Sequence, residues 1–196
     1  MSGDACVPLA MVEEFLGEDR VADEAGPLRT AFDALVAGDL DALGAIYDTA
    51  AHELFGIALW RTGSREDAAD VVQDVFVRLA RAGSKLTKVR NPRAYLLTMA
   101  HRAAIDVVRQ RRRSEPVDDA LLEPVVPDHA SILDAARLSA LVRALPAGQR
   151  EAVYLRHFAG LSFAEIGAAT RVPTFTAASR CRLGLARLRK LLGVEK

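Results

Sequence analysis

The chain has 196 residues, 51% hydrophobic and 27% charged, which suits a packed core and excludes wholesale disorder. Its 26 Lys and Arg equal its 26 Asp and Glu, a zero balance that on its face argues against a polyanion as partner. Two cysteines, Cys6 and Cys181, exclude a disulfide framework and predict a reducing, cytoplasmic setting, and no apolar run approaches the ~18 residues of a membrane helix.

The balance is a sum of unlike segments. Residues 1–27 carry a net charge of −6, residues 28–84 −4, residues 85–113 +8, residues 114–131 −5, and residues 132–196 +7. Two basic blocks separated by acidic ones point to a polyanion partner, with solvated helix faces as the plainer reading. The acidic N-terminus is unlike a secretory signal. Residues 1–27 read as a poorly ordered acidic leader, punctuated at its end by Gly26-Pro27. Period-two apolar runs and hairpin dipeptides are absent, so the fold expected is all-α.

A helical body spans 28–113. Within it, Ser64 and Asp67 open a helix over 65–81 in the manner of a capping box. Ala68, Val72, Val75, Phe76 and Leu79 recur at helical spacing and form the apolar face. Glu66, Asp70 and Asp74 sit four residues apart on the other side, a spacing at which like charges repel by a few tenths of a kcal/mol, about 0.2–0.5 per pair. Either a basic partner offsets that repulsion, or the face is merely solvated with Arg78 as partial compensation.

Asn91-Pro92 predicts the next helix start, Asn as N-cap and Pro at the first position. Leu96, Met99, Ala100, Ala103 and Val107 form its core face, and Arg102, Asp106, Arg109 and Arg113 line the other side. The run Arg109-Gln110-Arg111-Arg112-Arg113 concentrates positive charge that phosphates would neutralise with counterion release. Guanidinium forks also fit phosphates and guanine edges, although a basic C-terminus suits the helix dipole as well.

Residues 114–131 contain Pro116, Pro124 and Pro127 and no base, and read as an extended acidic linker reaching at most ~60 Å. The second helical unit covers 132–196. Ser162 and Glu165 form a capping box, Pro173 ends the short helix that follows, and a further helix starts near Thr174. Its apolar face is Ala177, Cys181, Gly184, Leu185 and Leu188, while Thr176, Ser179, Arg180, Arg182, Arg187 and Lys190 occupy the rest. Two helices, a three-residue turn and a basic second helix match a DNA-reading helix-turn-helix, although buried helical hairpins look similar. Cys181 is a small apolar filler there.

Four stretches carry a resemblance: EDAADVVQDVFVRL (66–79), NPRAYLLTMAHRAAIDVVRQRRR (91–113), LPAGQREAVYLRHFAGLSFAEI (145–166) and VPTFTAASRCRLGLARL (172–188). In this order they resemble bacterial sigma factors of the sigma-70 type, in the extracytoplasmic-function class. The resemblance implies two small helical domains, a region 2 bundle and a region 4 helix-turn-helix, joined by the extended acidic linker. It implies that Glu66, Asp67, Asp70, Val71, Gln73, Asp74 and Phe76 dock core RNA polymerase at its beta-prime clamp helices. It assigns the −10 promoter element to Arg90, Asn91, Arg93, Tyr95, His101, Arg102, Arg109, Arg111, Arg112 and Arg113. It assigns the −35 element to Ser162, Thr174, Thr176, Ala178, Ser179, Arg180, Arg182 and Arg187. Further partners implied are the polymerase beta flap and an anti-sigma factor, with no membrane insertion. The sequence departs from the family habit at Tyr95 (Trp is frequent), Arg102 (Asn), Ala177 (a branched residue) and Gly184 (Ala).

No catalytic role is expected. His52, His101, His129 and His157 fall in no metal-ligand spacing, and no phosphate-binding loop or nucleophile elbow occurs, so neither metal nor cofactor is expected. Two other readings are a sigma-like mimic that binds an anti-sigma factor without reading promoters, and an ordinary two-domain repressor or activator. The second leaves the acidic face and the linker unexplained.

Overall fold

The computed structural model describes residues 26–114 and 140–192, which fall in two compact units, all helical among the described residues. The acidic leader (all but its last two residues) and the linker expected over 114–131 (all but Ser114) lie outside the described residues.

The first unit comprises α1 (Pro27–Val36), α2 (Ala42–Thr62), α3 (Arg65–Ala82), a 3-10 turn (Gly83–Lys88) and α4 (Pro92–Ser114). Pro27 opens α1, where its missing N–H is no loss, and Ala31, Phe32 and Leu35 turn inward. The C-terminal half of α2 is apolar all round: Ile57, Ala58, Leu59 and Trp60 are consecutive and buried. A helix of that kind must be enclosed, and α1, α3 and α4 pack around it. Gly63 ends α2 in the left-handed conformation at φ 68°, its N–H reaching the Leu59 carbonyl at 2.8 Å. The Ser64 hydroxyl then accepts the Asp67 N–H at 3.2 Å and starts α3, as its sequence predicts.

The α3 core face is Ala68, Val71, Val72, Val75 and Leu79. Phe76 is only half-buried. Successive helical residues turn by 100°, so Val71 and Phe76 flank the central Ala68–Val75–Leu79 line on opposite sides. The packing of α2 decides between them. In α4 the Asn91 Oδ1 accepts the Ala94 N–H at 3.0 Å, the expected N-cap. Leu96, Ala100 and Ala103 are buried as expected, and Leu97, His101 and Ala104 join them, whereas Met99 and Val107 are half-buried.

The second unit starts with helical residues 140–143, followed by α5 (Ala147–His157), α6 (Phe163–Thr170) and α7 (Thr174–Leu192). Its core is Val142, Leu145, Ala152, Val153, Cys181 and Leu188, with Leu141, Phe163 and Leu185 packed against it. The capping box forms in full: the Glu165 N–H donates to Ser162 Oγ at 3.3 Å, and the Ser162 N–H donates to the Glu165 carboxylate at 2.8 Å. Between α6 and α7, Arg171 takes the left-handed conformation (φ 58°) and the Val172 N–H reaches the Gly167 carbonyl at 3.0 Å. A Cβ on Gly167 would lie 2.8 Å from the Val172 carbonyl oxygen, so this turn closes only over glycine.

Candidate nucleic-acid and protein interfaces

The outward side of α3 presents Glu66, Asp70 and Gln73, all exposed, with Asp67 and Asp74 half-exposed. Asp74 pairs with Arg78 at 2.7 Å, the partial compensation the spacing suggests. Asp67 lies 3.5 Å from Arg111 of α4. Val71 stands apart from this set: at 1% exposure it belongs to the core, so its expected part in polymerase docking is corrected to a packing role.

Beside the acidic side runs an open groove of about 800 Å3 between α2 and α3. Tyr47, His52, Phe55, Phe76 and Val77 line it. The Tyr47 and Phe76 rings meet at 5.1 Å, and Tyr47 is 53% exposed. Sequence reasoning missed Tyr47, because the α2 pattern has no clear face and only the α3 neighbour reveals which side is open. An apolar floor next to fixed carboxylates suits an amphipathic, basic partner surface.

The start of α4 is held by two charged contacts. Arg29 of α1 donates from Nη1 to the Arg90 carbonyl at 2.8 Å. Arg93 grips the Glu53 carboxylate of α2 through both Nε, at 2.9 Å, and Nη2. Tyr95 is half-buried, edge-on to Phe32 at 6.3 Å. His101 is wholly buried at 0% exposure with its ring against Trp60, so its expected contact with −10 DNA is corrected to a core position. Arg102, Arg109 and Arg113 are exposed and share one stripe, seven and eleven residues apart. Arg111 is also exposed but lies half a turn away, on the side where it meets Asp67. The Arg112 side chain lies outside the described residues.

On α7 the core residues Ala177, Cys181, Gly184 and Leu188 fix which side faces outward. Thr174, Arg182 and Arg187 are exposed, and Thr176, Ala178, Ser179 and Arg180 half-exposed. Arg180 leans over α5, its guanidinium so close that a Cβ on Gly148 would meet it at 3.2 Å. Ser162 is occupied as the α6 cap, with its exposed hydroxyl at the end of the short helix. Phe175, absent from the expected set, is 80% exposed in the first turn of α7. Inside the unit, Cys181 Sγ lies 3.9 Å from His157 Nε2; burial pushes its thiol above the usual value, and the Arg156 guanidinium pulls it partly back. Among the described residues no group of His, Cys, Asp and Glu could hold a metal ion, and no helix is long and apolar enough to cross a membrane.

Comparison with known proteins gives a consistent result. The family model Sigma-70 region 2 matches residues 46–114, and that for Sigma-70, region 4 matches residues 135–188. The chain is 31% identical over 167 residues to the ECF RNA polymerase sigma factor SigK of Mycobacterium sp. (strain KMS), covering 80% of this chain and 86% of that one. It is 30% identical over 170 residues to SigK of Mycobacterium tuberculosis (strain ATCC 25177 / H37Ra), covering 82% and 91%. In fold it is similar to the sigma factor RpoE of Bartonella quintana, solved with the anti-sigma factor NepR, at TM-score 0.63 and 23% identity over 76% of this chain and 96% of that one. It is also similar to CnrH, solved with the cytosolic domain of CnrY, at TM-score 0.60 and 23% identity over 87% and 100%.

Proposed function

The chain belongs to the sigma-70 family, in its extracytoplasmic-function (ECF) class, and from that premise we propose how its two units divide the work of promoter-directed transcription initiation. As a sigma factor it makes and breaks no bonds; the polymerase performs the chemistry, and the sigma factor supplies binding and selection. The first unit docks core polymerase through the acidic side of α3, with Asp70 and Asp74 facing basic groups and the Tyr47–Phe76 groove taking apolar ones. The partner there is the beta-prime clamp, and α7's unit meets the beta flap. The arginine stripe of α4 (Arg102, Arg109, Arg113) tracks the −10 strand backbone, while Arg90, Asn91 and Tyr95 stand at the end where bases are captured. The exposed side of α7 reads the −35 element from the major groove.

The observation that supports this reading best is the opposition of charge within the first unit. Carboxylates line α3 and guanidinium groups line α4, so one compact unit offers an acidic surface to a protein and a basic one to a nucleic acid. A mimic that never touches promoters has no use for the α4 stripe or for Arg182 and Arg187. Near-zero net charge limits binding to random DNA, and the local basic blocks act once polymerase holds both units on one promoter. An anti-sigma factor would compete for the α2–α3 groove, and the protein would work beside the polymerase in the cytoplasm.

The test is charge reversal. Asp70→Lys with Asp74→Lys should weaken binding to core polymerase by at least about tenfold. The helical circular dichroism should be retained. Core affinity unchanged by both reversals would refute the docking surface.

A further inference from the structure

Phe175 is the second residue of α7 and is 80% exposed, whereas every other described phenylalanine is buried or half-buried. It lies on the side of α7 away from Ala177, Cys181, Gly184 and Leu188, in line with Ser179 and Arg182 four and seven residues on. At 80% exposure the ring adds little to folding: it stands at the rim of an open groove that Phe163, Arg182 and Leu185 also line, with most of its surface left uncovered. Its position is well fixed nonetheless. The Gly167-dependent turn sets where α7 begins, and the Ala177 N–H returns to the Pro173 carbonyl at 3.1 Å, so the first turn is firmly wound.

A helix-turn-helix sends the first turns of its second helix to the base edges. Most of what the major groove offers there is hydrogen-bonding groups, which a phenyl ring cannot answer. The one apolar feature is the C5-methyl group of thymine. We infer that Phe175 is a specificity-determining residue that packs its ring on a thymine methyl in the −35 element. The inference rests on the reading of α7 as the −35 helix. Seven residues at 1.5 Å rise separate Phe175 from Arg182, so the thymine lies within about three base pairs of the pair that Arg182 reads.

The experiment uses holoenzyme assembled from the full chain and core polymerase. Preferred −35 elements are selected from a randomised library, and each thymine is then replaced by uracil, which removes only the methyl group. Wild-type holoenzyme should lose about fourfold in affinity at one thymine, the worth of one buried methyl. Phe175→Ala should show a similar loss on thymine DNA and no further loss with uracil. It should keep the base preference that Arg182→Ala alters. The inference is overturned if the selected elements contain no thymine, if wild type ignores every uracil substitution, or if Phe175→Ala remains uracil-sensitive. A loss that is equal on all sequences also overturns it. The complete absence of −35 preference in wild-type holoenzyme, by contrast, overturns the reading of α7 itself.

Discussion

Gly184 sits in the middle of α7, where an alanine would ordinarily stabilise a helix by about 1 kcal/mol. The second unit reverses that expectation. A Cβ at this position would lie 2.7 Å from Val153 Cγ2 and 3.3 Å from the Gln149 carbonyl, both on α5. Val153 is completely buried, and the Gln149 contact is backbone. Forcing extra volume into such a contact costs about 1–3 kcal/mol. The overpacking therefore outweighs the propensity gain, and Gly184→Ala should destabilise the unit by a net ~0–2 kcal/mol. For a unit of this size each kcal/mol is worth about 4–8 °C in Tm. The assay exploits Trp60, the sole tryptophan, which lies in the first unit. Far-ultraviolet circular dichroism of the full chain follows both units, while Trp60 fluorescence follows only the first. The variant should lower the transition seen by circular dichroism alone. A raised transition would mean that Val153 and α5 yield freely, and the close-approach argument would be wrong.

Other outcomes follow from the same contacts. Glu53→Gln removes the charge partner of Arg93 and should lower the Trp60-monitored stability by about 1 kcal/mol, the upper end for a partly exposed pair because this one is bidentate. An unchanged Trp60 transition would show that the pair adds nothing to the anchoring of α4. The Cys181 thiol is held above its usual value by burial, so the unfolded chain releases this proton at lower pH than the folded one. Stability of the second unit should therefore fall as pH rises past about 8.5, and Cys181→Ala should flatten that alkaline slope in denaturation series. A slope identical in the variant would assign it to other groups.

Features set by neighbours in the chain were legible from the residues. The Ser162–Glu165 box, the Asn91 cap and the Pro173 break each depend on three or four adjacent positions, and each forms as expected. What escaped depends on distant ones. Val71 and Phe76 are equivalent by periodicity, and only the approach of α2 buries the first and leaves the second at a groove. His101 is polar and looks outward by composition, yet Trp60, forty-one residues earlier, receives its ring in the core. Arg93 reads as a free cation until α2 brings Glu53 to it. Gly184 looks like a lapse in helix propensity until α5 is in place. Phe175 was legible in principle, since the apolar line of α7 passes on the opposite side of the helix, but an apolar residue at a DNA-reading face carries no charge signal.

The most direct test is transcription by reconstituted holoenzyme. Core polymerase plus the full chain should initiate from a discrete set of genomic fragments, at start sites absent with core alone. Arg180→Ala with Arg182→Ala should change the −35 preference without loss of core binding. Core binding absent in the wild type, with no promoter transcribed from any fragment, would contradict the account.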